Sequence, residues 1–293
     1  MDIHHLKVFS TVYKLRSFSK ASLELNLTQP TVSSHIKALE GELSITLFDR
    51  IGRKIIPTKR AEKLFSYAMD IIEKTEGIRD FINDTQDELS GELTIGASTI
   101  PATYIIPQRI FEFRGQYPSV SFGIITGDSK DVAEKVASHD VLLGIVGARL
   151  KNPYIEHIPF MEDELVLVTA SGISKSTAIE AHELKTMPLI IREEGSGTRK
   201  TSEVFLNQKG INLADLNIKG VFGSTESVKE AVKAGFGAAI LSKTAVSEYL
   251  DNGSLKEIKI KDLSMKRNFY LIYHKKRTLP HLYKTFKDFI VGS

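Results

Sequence analysis

The residues of this 293-residue chain best suited by type and spacing to chemistry are Gly195-Ser196-Gly197-Thr198-Arg199, between an apolar stretch and a helix-like one. Glycines let backbone N–H groups approach a ligand, hydroxyls donate hydrogen bonds, and Arg199 supplies charge. That is an oxyanion-binding inventory. Ser98-Thr99 and Ser224-Thr225 repeat the hydroxyl theme after two other apolar stretches. In open α/β sheets ligands sit beyond the carboxyl ends of strands, at helix N-termini, and all three places qualify. Gly197-Thr198-Arg199-Lys200 lacks the spacing and the Gly-Lys-Ser/Thr end of a Walker loop. Taken alone, Gly-Ser-Gly-Thr is also ordinary turn and N-cap chemistry, and Arg199 has the alternative of pairing with a neighbouring acid. Gly144-Ile145-Val146-Gly147 reads as a tight backbone wall across the cleft, and Glu193 and Glu194 are expected to point away from a bound anion.

Catalytic patterns are missing from the sequence. Zero cysteines exclude disulfides, thiolate metal sites and a cysteine nucleophile. The eight histidines, at 4, 5, 35, 139, 157, 182, 274 and 281, form no metal-binding helix motif. No Gly-x-Ser-x-Gly elbow activates a serine. The expectation is a chain without enzymatic activity, metal or cofactor, which binds a small anionic effector through Ser98, Thr99, Gly147, Gly195, Ser196, Gly197, Thr198, Arg199 and Thr225.

A second inventory lies at the N-terminus. Residues 1–60 carry ten Lys/Arg against five acids, whereas residues 61–90 carry three against eight. A basic head before an acidic segment suits a polyanion partner. Residues 2–15 place Leu6, Phe9, Val12 and Tyr13 on one helical face. A short helix follows, for which Ser19 is the expected N-cap, with Ala21 and Leu25 facing inward. Thr28 then caps a third helix with Pro30 in its first turn, where a missing N–H costs nothing. That helix turns Val32, Ile36, Leu39 and Leu43 inward and Gln29, Thr31, Ser33, Ser34, His35 and Lys37 outward. Short polar groups on a helix N-terminus can reach base edges in a major groove. Gly52 reads as a hairpin tip and Ile55-Ile56-Pro57 as the returning strand. The tip carries Arg50, Arg53 and Lys54 toward phosphates or a minor groove. Gln29, Pro30, Thr31, Ser33, Ser34, Lys37, Arg50, Arg53 and Lys54 are therefore the candidate contacts to double-stranded DNA.

These residues resemble a known family. Ser17-Phe18-Ser19-Lys20-Ala21-Ser22, Leu27-Thr28-Gln29-Pro30-Thr31-Val32-Ser33, Leu39-Glu40-Gly41-Glu42-Leu43 and Leu47-Phe48-Asp49-Arg50 are similar to the N-terminal motif of the LysR-type transcriptional regulators. The resemblance runs the length of the chain. It implies a winged helix-turn-helix whose Thr-Gln-Pro helix reads the major groove and whose wing is Gly52-Arg53. Ser34 departs from the Arg common there, and Ser44 from the Gly common at the helix end. The Gly-Ser-Gly-Thr-Arg segment resembles a subgroup tied to carbon or sulfur assimilation, with small anions as effectors.

The elements that position both inventories follow from periodicity. Thr58 can cap a helix to about Leu89, with Leu64, Ala68, Ile71, Thr75, Ile78 and Ile82 as a heptad seam. Beyond Ser90-Gly91, apolar strands alternate with amphipathic helices, which argues for a mostly parallel sheet covered on both faces. The expected fold class is α/β with an α-dominated winged head at 1–58, a linker and dimerisation helix at 59–89, and an effector domain at 90–293. The resemblance divides the last like a periplasmic binding protein, into lobe I (about 91–162 plus 269–293) and lobe II (about 163–268), hinged near 161–165 and 266–270. The function expected is sequence-specific transcriptional regulation by a cytoplasmic homodimer or homotetramer, without a membrane partner. The alternatives are a cytoplasmic anion-binding protein, or an enzyme of anion metabolism, with an accessory head.

Overall fold

The computed structural model describes residues 2–51, 54–83, 89–173 and 176–292, with side chains at 50, 51, 73, 76, 77 and 79–83 outside that description. Two compact units divide at Asp87 and Glu88.

The first unit contains α1 (Ile3–Leu15), α2 (Phe18–Glu24), α3 (Gln29–Leu43), β1 (Phe48–Ile51), β2 (Lys54–Pro57) and α4 (Lys59–Asn83). Thr28 caps α3 by accepting from the Thr31 N–H, and Thr58 caps α4 by accepting from the Ala61 N–H. Helix α2 corrects the expectation for Ser19. Its N-cap is Ser17, whose Oγ accepts from the Lys20 N–H, so the helix starts two residues earlier and Phe18 joins the core. Val32, Ile36 and Leu39 of α3 are buried beside Phe9 and Val12 of α1. Strands β1 and β2 pair antiparallel, Ile51 facing Lys54, and Glu40 of α3 accepts from the Leu47 and Phe48 N–H groups to fasten the hairpin. The hairpin tip Gly52-Arg53 lies outside the described residues.

Helix α3 ends on Ser44 in the left-handed region, at φ +53°. A Cβ there costs up to about 1 kcal/mol, which glycine avoids. Ser44→Gly is therefore expected to raise the stability of the first unit by up to about 1 kcal/mol, read as a later urea midpoint by circular dichroism. An unchanged midpoint would mean that Ser44 recovers the cost elsewhere.

The heptad seam expected on α4 is only partly where the helix is covered. Ala61, Phe65, Ala68 and Ile72 are buried against the head, with Phe65 stacked on Tyr13 at 4.2 Å between centroids. Ile71 and Ile78 are exposed, as is Tyr67, and Ile82 falls among the side chains not described. The helix has two apolar faces, and the head claims the one offset from the expected seam.

The second unit runs β3 (Gly91–Ser98), α5 (Ile106–Gln116), β4 (Val120–Gly127), α6 (Ser129–Ala137), β5 (Leu143–Val146) and β6 (Ile155–Ala170). It continues with β7 (Ala178–Ile179), β8 (Leu189–Arg192), α7 (Gly197–Gln208), β9 (Ile218–Phe222) and α8 (Thr225–Lys233). It closes with β10 (Ala239–Ser242), α9 (Lys243–Asp251), β11 (Leu255–Ile260), β12 (Met265–His274) and α10 (His281–Gly292). The helix expected to begin at Thr103 starts instead as a π-helical turn, Pro101–Ile105, that passes into α5.

Two lobes form around β6 and β12, which cross between them as an antiparallel pair. In lobe I the order is β4-β3-β5-β12-β6; in lobe II the far half of β6 pairs with β10 and β11. The register of β6 with β12 shifts between Phe269 and Tyr270. The sheet is thus mixed rather than mostly parallel. Strand β3 is parallel to β4 and β5, and β8 to β9, but every pairing of β12 with β5 or β6, and of β6 with β10 or β11, is antiparallel. The cause is topological: a chain that leaves lobe I along β6 must return along β12. Separate cores back the two lobes, around Phe113 and Phe286 in lobe I and around Leu165, Leu206 and Val228 in lobe II.

Candidate functional site

In the first unit α3 carries its polar face to solvent. Gln29, Pro30, Ser34 and Lys37 are exposed, Thr31 and Ser33 are half-buried, and Lys54 is exposed on β2. Ser19 Oγ donates to Gln29 Oε1 at 3.4 Å, so α2 steadies the first side chain of α3. Thr28 and Thr31 share a hydroxyl hydrogen bond of 2.7 Å. The rings of His4 and His5 lie 4.8 and 5.1 Å from His35 on α3. Desolvation first, then these two neighbours, hold the His35 imidazole below its usual value. Arg50 and Arg53 lie outside the described side chains.

In the second unit a narrow cleft opens between the lobes. Lobe I lines it with Ser98, Thr99, Asp128, Ser129 and Gly147, and lobe II with Arg192, Ser196, Gly197 and Thr198. Two helices and the π-turn begin at its wall. Ser196 caps α7 by accepting from the Arg199 N–H, Asp128 caps α6 by accepting from the Lys130 and Asp131 N–H groups, and Thr99 precedes the π-turn. Helix N-termini favour anions through free N–H groups and the helix dipole. Glycines make the closeness of the lobes possible. A Cβ on Gly195 would lie 1.8 Å from Asp128 Oδ2, and one on Gly197 would lie 3.2 Å from the Gly147 carbonyl carbon and 2.6 Å from Ser129 Oγ.

The charge is not where the Gly-Ser-Gly-Thr-Arg segment suggested. Arg199 does not line this cavity. Its Nε donates to Glu203 at 2.7 Å, one turn along α7, and an Nη donates to the Arg192 carbonyl at 3.3 Å. The lining cations are Arg192 and Arg267, both buried. Arg192 ends β8 and donates to both carboxylate oxygens of Glu193, at 2.7 and 2.6 Å. It also donates to Thr225 Oγ1 and, across the cleft at 3.4 Å, to Thr99 Oγ1. Thr225 is fully buried and serves the cavity through Arg192. Neither Glu193 nor Glu194 lines the cavity: Glu193 pairs with Arg192, and Glu194 is exposed.

Arg267 sits on β12 between Met265 and Phe269, so period-two alternation turns its side chain into the protein. Its Nε donates to Asp163 Oδ2 at 2.8 Å, and an Nη reaches the Gly147 carbonyl at 3.3 Å and Thr198 Oγ1 at 3.4 Å. Burial pulls its pKa down and Asp163 pulls it back. Guanidinium nonetheless stays charged. Its Nη2 is buried and has no hydrogen-bond partner among the described residues. Leaving such a donor unpaired costs about 1–3 kcal/mol, more for a charged group.

A latch closes one side of the cleft. Tyr104, on the π-turn of lobe I, hydrogen-bonds Glu226 of α8, and Lys229 of α8 donates to the Tyr104 hydroxyl. Lys229 is buried, 2.9 Å from Glu226 and 4.6 Å from the Tyr249 ring centroid. Burial, then Glu226, pushes the Tyr104 phenol above its usual value.

Sequence reading missed Arg192, Arg267, Asp128 and Ser129. Arg192 was open to detection as the polar end of an apolar strand, and Asp128 as the cap of α6. Arg267 required recognising β12 as a full alternating strand.

The comparisons agree with this architecture. The family description "LysR substrate binding domain" matches residues 86–293, and "Bacterial regulatory helix-turn-helix protein, lysR family" matches residues 3–62. The HTH-type transcriptional activator CmpR of Synechocystis is 31% identical over 98% of this chain and 94% of its own length. The RuBisCO operon transcriptional regulator of Acidithiobacillus ferrooxidans is 30% identical over 99% and 94%. Full-length OxyR from Pseudomonas aeruginosa superposes with a TM-score of 0.78 at 19% identity, over 99% of this chain and 94% of that one. The Synechocystis CcmR regulatory domain, solved in complex with 2-PG, has a TM-score of 0.63 at 22% identity, over 69% of this chain and 97% of its own.

Proposed function

Because the chain belongs to the LysR-type family of bacterial transcriptional regulators, we propose that it reads DNA with the exposed face of α3 and takes a small anion in the inter-lobe cleft as its effector. It is a DNA-binding regulator with an effector domain, and we read it as acting without catalysis of its own.

The observation that carries the anion is Arg267. A buried guanidinium with an unpartnered Nη2 lines a cavity at which α6 and α7 begin. An anion there satisfies the orphan donor, beside the N-terminal end of α7. Asp163, Glu193 and Asp128 already take the other donors around the cavity, so a compact ligand with one or two negative charges suits the site. Anionic effectors also fit a place near regulators of RuBisCO operons, which would put this chain in the carbon- or sulfur-assimilation subgroup. No helix among the described residues is long and apolar enough to cross a membrane, in keeping with a cytoplasmic site of action.

Two heads address two half-sites if the chain dimerises. Exposed Tyr67, Ile71 and Ile78 form an uncovered apolar stripe on α4, suited to the same stripe of a second copy, and two such dimers would make a tetramer. Lobe closure around the anion then biases the placement of the heads, which requires the anion to prefer one arrangement over another.

Mobility shifts on the DNA upstream of the gene test the head. Gln29→Ala is expected to lose about 1–3 kcal/mol on specific sites only. Lys37→Ala should weaken specific and random DNA alike and reduce the salt slope by about one unit. Parent-like binding by both variants would remove α3 from the groove. Calorimetry with sulfate, thiosulfate, phosphate and small carboxylates tests the cleft, and an absence of heat with every anion would refute the anion reading.

A further inference from the structure

The cleft between the lobes has room for about one water molecule. A polyatomic anion enters it only when the lobes part, so whatever holds the lobes together controls admission. Arg192 reaches Thr99 across the cleft at a long 3.4 Å. Tyr104 makes a firmer link. Its hydroxyl donates to the Glu226 carboxylate and accepts from the Lys229 ammonium, so one oxygen of lobe I makes two charge-assisted hydrogen bonds to lobe II. Both are lost together if the π-turn lifts.

The local sequence builds this link as a strap. The Ile106 N–H donates to the Pro101 carbonyl, five residues back, and Pro107 has no N–H with which to restore the tighter α-helical turn. Such π-turns are frequent at functional sites. This one starts at the cleft wall, with Ile100 and Pro101, and carries Tyr104 beyond it. Ile100 and Ile105 pack against Ala245 of α9 and Phe269 of β12, so apolar as well as polar side chains seat the strap on lobe II. Lys229 shows how close the cover is. It is buried, with Nζ 5.0 Å from the Tyr104 ring centroid and 4.6 Å from that of Tyr249, whereas Lys233, one turn further along α8, is exposed. Tyr104, Glu226 and Lys229 stand beside the cleft rather than among the residues that line it, so their contacts can re-form around a bound anion.

We propose that the Tyr104 strap is an admission gate: it shuts the cleft of the effector-free regulator, releases to pass the effector, and sets the rate of exchange rather than the affinity. The anion reading of the cleft is the premise for what passes. Because the strap is remade once the anion is inside, loss of its hydroxyl destabilises the free and the bound closed forms alike. Association and dissociation then quicken by the same factor, and their ratio stays.

Two measurements on the full-length chain test the gate, the first without any ligand. Labelling with acetic anhydride, read by mass spectrometry, compares Lys229 with Lys233 in the same molecule. Lys229 of the parent should react at least about tenfold more slowly, and Tyr104→Phe, which keeps the ring but not the hydroxyl, should remove most of that difference. An unchanged difference in Tyr104→Phe overturns the proposal, as does a parent Lys229 as reactive as Lys233. The second measurement uses sulfate. The chain has no cysteine, so Lys130→Cys, at an exposed position in the first turn of α6, carries one environment-sensitive fluorophore per chain. In stopped flow the observed rate of the labelled parent should level off with rising sulfate, at the rate of opening. Tyr104→Phe should raise that plateau by roughly tenfold or more with Kd changed by less than about threefold. Glu226→Gln, which weakens the same link from lobe II, should raise it too. Equal plateaus in parent and variants overturn the proposal, and so does a weaker affinity for sulfate at unchanged rates, which would make Tyr104 only part of the wall. Sulfate that binds neither protein, with Lys229 uncovered in Tyr104→Phe, would count against the anion reading and leave the gate standing.

Discussion

Replacing Asp163 by alanine is expected to cost about 3–5 kcal/mol of folding stability. The two partners of this buried pair are not symmetric. Asp163 Oδ1 accepts from Ser242 Oγ at 2.9 Å, Thr244 Oγ1 at 3.0 Å and the Thr244 N–H at 3.4 Å, independently of Arg267. Without Asp163, Arg267 retains as hydrogen bonds among the described residues only those to Gly147 and Thr198, at 3.3 and 3.4 Å. Removing the acid therefore leaves a buried cation nearly bare, and orphans two hydroxyls as well. Arg267→Met removes the cation but leaves the carboxylate three donors, so it should cost less. Urea unfolding followed by circular dichroism orders the two variants. Added sulfate should recover part of the loss in Asp163→Ala, because a ligand that binds only the folded state stabilises it. The same salt at matched ionic strength should do nothing for Arg267→Met. A larger loss in Arg267→Met, or equal recovery in both, would contradict this account of the cleft.

The second large effect is expected at Gly195. An alanine Cβ there would stand 1.8 Å from Asp128 Oδ2 and 2.4 Å from its Cγ, distances that no real contact tolerates. Asp128 cannot step aside freely, because its Oδ1 accepts from the Lys130 and Asp131 N–H groups at 2.8 Å each. Either the cap of α6 breaks, at about 1 kcal/mol, or the lobes part and the anion loses one wall. Gly195→Ala should accordingly weaken binding of the best anion by roughly ten- to a hundredfold, equivalent to about 1.4–2.8 kcal/mol. DNA binding without effector should be unchanged, since the head is a separate unit. Adding Asp128→Ala removes the obstructing carboxylate and should restore most of the affinity, with strong non-additivity in the double-mutant cycle. Additive effects of the two substitutions would show that the contact between Gly195 and Asp128 does not govern closure.

Both expectations rest on side chains that the linear chain places far apart, and this separates what was legible from what was not. Local chemistry was legible. The caps Thr28, Thr58, Ser196 and Ser224 lie three residues before the N–H groups they serve, a relation within one helical turn that needs no tertiary information. Alternating strands and amphipathic helices announced an α/β body, the family resemblance implied its division into two lobes, and the basic head announced its polyanion partner. The misread cap at Ser19 came from two serines flanking one phenylalanine, where burial of Phe18 decided in favour of Ser17.

The source of charge was decided only by tertiary structure. Successive residues on a helix point about 100° apart, so Thr198 can face the cleft while Arg199 swings round to Glu203, its neighbour four residues on. The segment was read as one cluster, and the turn of the helix takes Arg199 away from the cleft that Ser196, Gly197 and Thr198 line. Arg267 reaches the cleft from β12, and its partner Asp163 lies 104 residues earlier. Only the antiparallel register of β6 with β12 brings the two opposite each other. The seam of α4 follows the same rule: two apolar faces are written on one helix, and packing against α1 selects Ala61, Phe65, Ala68 and Ile72 for the inside. Hydrophobic period and capping are properties of neighbouring residues, so the sequence alone determined the elements. Which face is covered, and which charge meets which cavity, depend on contacts between distant segments, and the tertiary structure decided them.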